Sequence, residues 1–165
     1  MQNPLAPIEV LATNSAFSDP AIDSSDSPDG GEFASGEARL AEYRKTRDRA
    51  ALVLKPEVKP TLFVCKPLAA SLVARLLDER SLPQARLGAF VLGCHEVVLP
   101  DGSTLTPKRL SPQVGGASAP ADENAWVDEI ARRFGLDTVY EIGSVIYERA
   151  RLPESARGPF SYRGL

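Results

Sequence analysis

The spacing of hydrophobic positions changes near residue 67, and this change predicts a strand followed by a helix. Residues 61–66, Thr-Leu-Phe-Val-Cys-Lys, are a run of β-forming side chains between Pro60 and Pro67, which is typical of a short or edge strand. From Pro67 to Arg80 the apolar residues instead recur at helical spacing. They form one stripe: Leu68, Leu72, Val73, Leu76 and Leu77. Residues 67–80 are therefore predicted to form an amphipathic helix.

A second helix and a β-hairpin are predicted next. Ser81 and Gln84 have the spacing of a capping box, which starts a helix. The apolar residues on one side of this helix are Leu87, Phe90, Val91 and Cys94. Residues 96–106 then read strand, Pro-Asp-Gly turn, strand, which is the pattern of a hairpin. Because an isolated hairpin is marginally stable, we expect it to form a small sheet with the strand at 61–66.

Two further helices are predicted after residues 107–121, a flexible loop rich in Pro, Ser, Gly and Ala. Asp122 is placed to cap the first helix and Gly135 to end it. Its apolar face consists of Trp126, Val127, Ile130 and Phe134. Asp137 starts the last helix, and Gly143 within it would allow another backbone to approach closely. The other residues expected on its buried side are Val139, Ile142, Val145 and Ile146.

These elements predict the α+β fold class, as a mostly helical small domain with a short strand and a β-hairpin. The chain has 165 residues, which is enough for one such core and too short for two. The core domain is expected at residues 60–152, followed by a loose C-terminal tail at 153–165. No apolar run approaches the roughly 18 residues of a membrane span, and the N-terminus lacks the pattern of a secretory signal. We therefore expect no membrane partner and a protein that is intracellular when it is made.

Charge is distributed unevenly along the chain. Residues 1–36 hold six acidic side chains and no Lys or Arg, whereas the rest of the chain holds 19 basic and 16 acidic side chains. The first segment is also rich in Ser, Pro, Gly and Ala, which predicts a disordered acidic tail at 1–36. Within it, the apolar patch Ile-Glu-Val-Leu at 8–11 is the one candidate for docking onto another surface.

The basic residues that follow predict a different kind of segment. Residues 37–59 are predicted to be a basic linker into the fold, with a marginal, solvated helix between Glu37 and Arg49 that Ser35 caps and whose thin apolar face is Leu40 and Tyr43. Its charge is suited to hold the acidic tail or an acidic partner. A net charge of −3 and the lack of interleaved aromatic residues argue against a nucleic-acid partner.

Side chains suited to catalysis or metal binding are few. Cys65, Cys94 and His95 are all the Cys and His that the chain has, whereas a zinc site takes about four nitrogen or sulfur ligands. On a helix, adjacent Cys94 and His95 would point about 100° apart, which leaves Cys65 with His95 as the one candidate nucleophilic pair. Free Cys on an apolar face is usually a small hydrophobic residue, and His95 is placed to cap helix carbonyls.

No metal, cofactor or catalytic residue is therefore predicted. The phosphate-binding patterns GxxxxGK[ST] and GxGxxG are absent from the sequence. The protein is predicted not to be an enzyme, with a small cysteine-dependent enzyme as the distant alternative.

The amphipathic helices are the remaining candidate for function, as a surface that binds a partner helix. The partner-binding residues are then expected to be Leu72, Leu76, Trp126, Ile130 and Ile146. Trp126 is the first to test, because it lies near the start of its helix and just after a long loop. The alternative is that these side chains simply form the core, since a small domain uses most of its apolar residues internally.

The order of features along residues 60–152 resembles that of a known protein family. A short strand followed by Pro-Leu, at 61–68, leads into helices, a hairpin at Asp101-Gly102, a variable loop and a final helix reading Tyr-Glu-Ile-Gly-Ser-Val-Ile-Tyr at 140–147. This layout resembles the small tail assembly chaperones encoded beside the tail-tube and tape-measure proteins of long-tailed bacteriophages and prophages. No functional residue is carried over.

The resemblance implies a non-enzymatic protein that coats apolar tape-measure helices and delivers tail-tube subunits in the host cytoplasm. Members of that family tend to be nearly all-helical, whereas strands are predicted here. Those strands fit equally well a structural virion component, such as a tail or head-tail connector protein, which stays in the particle beside neighbouring subunits. A bacterial adaptor or regulatory binding module is a third alternative.

Overall fold

The structure, a computed structural model, contains five α-helices and two small antiparallel sheets within the residues that it describes. Those residues are 7–14, 18–25, 35–79, 81–107, 113–114, 117–118 and 123–151. The helices are α1 (Gly36–Thr46), α2 (Ala70–Glu79), α3 (Leu82–Gly93), α4 (Glu123–Phe134) and α5 (Leu136–Arg151), with a 3-10 turn at Arg49–Ala51. The strands are β1 (Ile8–Val10), β2 (Leu62–Cys65), β3 (Cys94–Val98), β4 (Thr104–Leu105), β5 (Gln113–Val114) and β6 (Ala117–Ser118). The predicted α+β class is confirmed.

Local signals explain where several elements begin and end. Ser35 caps α1 as predicted, because its Oγ accepts a hydrogen bond from the Ala38 N–H at 3.3 Å. Gln84 reaches back to the start of α3, where its Oε1 accepts from the Ser81 N–H at 3.3 Å. Gly135 ends α4 with a φ of +89°, a left-handed conformation that glycine adopts without steric cost.

The larger sheet has the strand order β1-β2-β3-β4, and every neighbouring pair is antiparallel. The predicted hairpin joins β3 to β4, with the Gly102 N–H donating to the Leu99 carbonyl at 2.9 Å across the turn. Gly102 has a φ of +87°, which the turn requires. In place of the predicted loop at 107–121, the described residues include a ribbon of β5 and β6. The predicted C-terminal tail at 153–165 lies outside the described residues.

The prediction of a disordered acidic tail at residues 1–36 is wrong for the part of it that the structure describes. We call residues 7–14 and 18–25 the N-terminal arm. Its strand β1 pairs with β2, so that Ile8 lies opposite Cys65 and Val10 opposite Phe63. The flanking prolines predicted a short or edge strand, and β2 is short, with four residues, but interior in the sheet. The prediction failed because it used the average composition of residues 1–36. A few alternating apolar residues are enough to add a strand to an existing sheet.

One face of the sheet and the four helices α2 to α5 enclose the main core. A row of side chains from neighbouring strands, Val10, Phe63 and Val97, is fully buried on this face. Helix α5 crosses α3 closely at Gly143, where a Cβ atom would overlap the carbonyl oxygen of Arg86. The prediction that Gly143 permits a close backbone approach is therefore confirmed.

A second, smaller apolar cluster lies beside the N-terminal arm. Its buried members are Leu11, Ile22, Tyr43 and Leu52, and Leu62 of β2 packs against it. Leu11 follows Val10 in an extended segment and so faces away from the main core. Tyr43 of α1 is completely buried here, and its Oη accepts a hydrogen bond from the Leu11 N–H at 2.9 Å. The prediction of a solvated linker helix at 37–59 is therefore wrong, because α1 covers the arm.

Candidate functional site

The structure buries most of the predicted partner-binding side chains in the main core instead of presenting them on the surface. Four of the five are buried in it: Leu76, Trp126, Ile130 and Ile146. Leu72 of α2 is half-buried. The prediction that they form a binding surface is wrong for the four buried residues. Their periodicity marked an apolar helix face, and periodicity is the same whether that face meets its own core or a partner.

Trp126 shows most clearly why such a side chain belongs to the core. It is 1% exposed, and its ring stacks on that of Phe90 with 6.1 Å between the centroids. Its Nε1–H donates to the carbonyl oxygen of Cys94 at 3.1 Å. The buried indole thus has both an aromatic neighbour and a hydrogen-bond acceptor, which joins α4 to the junction of α3 and β3.

The structure places both cysteines of the candidate nucleophilic group in the main core. Cys65 and Cys94 are 1% and 0% exposed and lie opposite each other on β2 and β3. Burial raises the pKa of the Cys94 thiol, and the neighbouring Cys65 thiol raises it further. A raised thiol pKa is the opposite of what a cysteine nucleophile needs.

His95 belongs to β3, so the expectation that it caps the carbonyls at the end of α3 is wrong. The backbone N–H that closes the end of α3 is that of Cys94, which donates to the carbonyl oxygen of Phe90. The Nδ1 atom of His95 is buried and has no hydrogen-bond partner among the described residues. Neither thiol shows a hydrogen bond to the imidazole in that part of the chain; each thiol instead lies near a backbone carbonyl oxygen, at 3.5 Å for Cys65 and 4.0 Å for Cys94.

Among the described residues, the polar side chain with the most hydrogen bonds is Glu141 of α5, which the sequence did not single out. Its carboxylate accepts from the Thr13 N–H at 3.0 Å, from the Thr13 hydroxyl at 2.8 Å and from the Asn14 N–H at 3.1 Å. The side-chain amide of Asn14 also donates to Glu141 Oε2 at 3.2 Å, and Arg47 pairs with the carboxylate, with its Nη1 at 3.1 Å from Oε1. The two charged side chains are only 11% and 16% exposed. This carboxylate therefore holds the N-terminal arm against α5.

Arginines of α1 hold the same arm from the other side. Arg44 donates to the hydroxyl of Thr13 at 3.1 Å and also to its carbonyl oxygen. Arg39 donates from Nη2 to the carbonyl oxygens of Ser25 and Asp23. The basic residues of 37–59 do hold the acidic segment, as expected, but chiefly through its backbone carbonyls and one hydroxyl. An ion pair between Arg49 and Glu9, at 3.4 Å, also joins the two segments. We call Thr13 and Asn14 of the arm, together with the charged residues Glu141, Arg44 and Arg47, the arm anchor.

Asp19 is a second carboxylate with a structural task. It is 2% exposed, and its two oxygens accept from the Ala21 N–H at 2.9 Å and the Thr61 N–H at 2.7 Å. Burial raises the pKa of Asp19, and these two hydrogen bonds oppose that shift. Asp19 joins the arm to the start of β2, so this carboxylate also serves the fold.

The described residues give no donor set for a metal ion. Within them no three His, Cys, Asp or Glu side chains lie together as possible ligands. No described helix is long and apolar enough to span a membrane. Comparison of the chain with protein-family models, with curated proteins and with solved structures found no match.

The sequence carried one usable signal for the arm and none for its anchor. The apolar patch at 8–11 was the candidate docking segment, and the structure turns it into β1 and the buried Leu11. Glu141 lies between Tyr140 and Ile142 in a helix, where an acidic residue is ordinary. Its partners are more than 90 positions away in the chain, so only the folded structure brings them together.

Proposed function

We propose that this protein is non-enzymatic and acts by binding other proteins during the assembly of a long bacteriophage tail, in the host cytoplasm. The tail-assembly setting rests on the layout of residues 60–152, which resembles that of tail assembly chaperones. Support for a binding role comes from the surface. Among the described residues, four large aliphatic side chains are between 44% and 49% exposed: Val53, Leu82, Leu92 and Leu136. Their exposure is the observation that carries the proposal.

Helix α3 presents two of these side chains, Leu82 at its first residue and Leu92 near its last. Ala85 and Ala89 lie between them at helical spacing and are completely buried. Leu82 lies just before the buried positions of α3 and Leu92 lies beside buried Gly93, so both exposed side chains border the buried face of the helix. Apolar surface at such a border is suited to receive an apolar helix, and the partner proposed is a helical segment of the tape-measure protein.

The buried polar groups support a role without chemistry. Both oxygens of Asp19 and the carboxylate of Glu141 accept hydrogen bonds that hold the arm in place. The Cys94 thiol has a raised pKa in the core. Groups committed in this way maintain the fold, and the surface is left for contact with other macromolecules.

Co-expression and capture test this proposal. The double variant Leu82→Glu/Leu92→Lys keeps the net charge and places each new charge where it suits the dipole of α3. We expect capture of the co-expressed tape-measure protein to fall at least about tenfold, as expected for a loss of about 1.4 kcal/mol, while the melting temperature stays within a few degrees.

The matched control is Arg75→Glu/Asp78→Lys, a charge-neutral exchange of two exposed residues on α2. It should leave capture unchanged. Equal capture by the wild type and the Leu82/Leu92 variant would contradict the proposed surface. Failure of the wild type to capture either the tape-measure or the tail-tube protein would contradict the chaperone role.

A structural virion component is the second candidate, and the four-stranded sheet favours it. Tail chaperones tend to be nearly all-helical, whereas this chain builds a sheet from its first described residues onward. A tail or head-tail connector protein would be present in purified particles at a symmetric copy number. Mass spectrometry of particles decides between the two roles, because a chaperone is absent from finished particles.

A further inference from the structure

The two cysteines form a facing pair across the sheet. Cys65, the last residue of β2, lies in register with Cys94, the first residue of β3, and both side chains point into the main core. The chain has no other cysteine. Their placement depends on the irregularity in this register, because β3 has an additional residue, His95, between the partners of Cys65 and Val64.

Backbone hydrogen bonds show which type of antiparallel pair this is. The next pair along the strands is bonded, since the Lys66 N–H donates to the Gly93 carbonyl at 2.8 Å. The Cys94 N–H donates to Phe90 of α3 instead of to Cys65. Bonded and non-bonded pairs alternate in an antiparallel ladder, so Cys65 and Cys94 are a non-hydrogen-bonded pair. In such pairs the Cα atoms are about 4.5 Å apart and the side chains are closest, which lies within the range that a disulfide spans.

We propose that Cys65 and Cys94 are a redox site that closes to an intramolecular disulfide within the folded protein. A mild two-electron thiol oxidant, such as an azodicarboxamide, supplies the chemistry. One thiolate adds to the N=N bond, and the second thiolate then attacks the sulfur and displaces the hydrazine. The S–S bond forms, and the two thiol protons and two electrons pass to the oxidant. The products are the disulfide and the hydrazine derivative.

Burial determines how such a site behaves. Neither thiol is exposed, and burial first and then the Cys65 thiol raise the pKa of Cys94. The reacting thiolate is therefore scarce and shielded, so oxidation should be slow and should require local opening of the sheet. Once formed, the disulfide encloses residues 66–93, which carry α2 and α3, and ties both helices to the sheet. We expect it to raise stability by restricting the unfolded chain.

The test uses the full-length reduced protein with an azodicarboxamide under native conditions. We expect intact-mass measurement to show the loss of two hydrogen atoms in a monomer, and peptide mapping to join the peptides of Cys65 and Cys94. The oxidised protein should melt at a higher temperature than the reduced protein, and dithiothreitol should reverse both changes. Cys65→Ala is the control that lacks the pair and should not lose two hydrogens.

Three results would overturn the proposal. The first is a native protein that keeps both thiols while the same chain, unfolded in urea, is oxidised. The second is oxidation that yields only covalent dimers. The third is an oxidised monomer that melts at a lower temperature, because the bond would then distort the fold. The comparison of native with unfolded wild type does not depend on any variant that fails to fold.

Discussion

The fold needs Asp19 as a hydrogen-bond acceptor, but burial disfavours its charged form. Its oxygens are the acceptors for two backbone N–H groups, those of Ala21 and Thr61. Removing an acceptor from a buried donor costs about 1–3 kcal/mol. Burial nevertheless raises the pKa of Asp19 above its usual value of 3.8. Because the folded state then binds a proton more readily than the unfolded state, the stability due to Asp19 is greatest below that value and is lost as pH rises through the raised pKa.

The substitution Asp19→Asn should therefore destabilise the protein by about 1–3 kcal/mol, because an amide has one acceptor oxygen for two donors. The stability gap between wild type and variant should widen as pH falls from about 7 to about 3.5, since only the wild type gains from protonation. Urea unfolding midpoints at several pH values measure this gap. A gap that narrows on acidification would contradict the raised pKa.

Asp23→Asn is the control, for which the stability difference from wild type should change with pH in the opposite direction. The pKa of Asp23 is lowered, chiefly by the hydrogen bond from the Ser25 hydroxyl and then by the Ser25 N–H. A lowered pKa contributes stability that is lost as pH falls. The gap between the wild type and this variant should therefore narrow in acid.

At the scale of elements, β1 is an edge strand, and side chains from other elements bind the backbone N–H groups of the residues that follow it. Leu11 and Thr13 lie two residues apart, so their N–H groups point to the same edge of an extended segment. Tyr43 accepts from the first and Glu141 from the second. An open edge is a template for unwanted strand pairing, and acceptors from α1 and α5 remove part of it. The arm anchor therefore both fastens the arm and protects the sheet.

Glu141→Gln should loosen the arm, because the amide offers one acceptor where the carboxylate serves Thr13, Asn14 and Arg47. We expect a loss of about 2–4 kcal/mol in unfolding free energy and faster hydrogen exchange at the amides of Thr13 and Asn14. Exchange followed by mass spectrometry or NMR measures the second effect.

Glu148→Gln on the same helix is the matched control. Glu148 pairs with Arg151 at 3.7 Å, and both side chains are more than half exposed, so its loss should change little. Unchanged protection of the arm in Glu141→Gln would show that the apolar residues of β1 hold it without the anchor.

For the whole molecule, the two apolar clusters share the sheet and should unfold together. Phe63 of β2 belongs to the main core, whereas the preceding residue, Leu62, packs against the second cluster. Trp126 is the chain's one tryptophan and lies in the main core, so its fluorescence reports on that core alone. A change in the second cluster should then be visible at Trp126.

Tyr43→Ala removes a completely buried ring from the second cluster together with the acceptor of the Leu11 N–H. We expect a loss of about 3–5 kcal/mol, seen as a lower urea midpoint of Trp126 fluorescence. Lys45→Ala, exposed on the same helix, should leave that midpoint unchanged. If Trp126 kept its midpoint in Tyr43→Ala while helical circular dichroism changed earlier, the clusters would be independent units.

Prediction from the sequence succeeded where a few neighbouring residues carry the cause. The apolar stripes of α2 and α4, the caps at Ser35 and Gln84 and the Asp-Gly turn all act within about one or two turns of chain. Such signals can be recognised without knowledge of the fold, because propensity and periodicity are local. The prediction of the partner-binding surface was wrong because it used the same local signals. The stripe containing Trp126 has the same spacing in a core as on a binding surface.

By itself, then, the sequence determined the α+β class, the positions of the helices from residue 70 onward, the hairpin and the close approach at Gly143. Only the tertiary structure decided that the N-terminal arm becomes a strand, that Glu141 anchors it and that Cys65 faces Cys94. The physical reason is distance along the chain. Burial, pairing register and hydrogen bonds between residues dozens of positions apart depend on the sum of all contacts, and no local pattern records that sum.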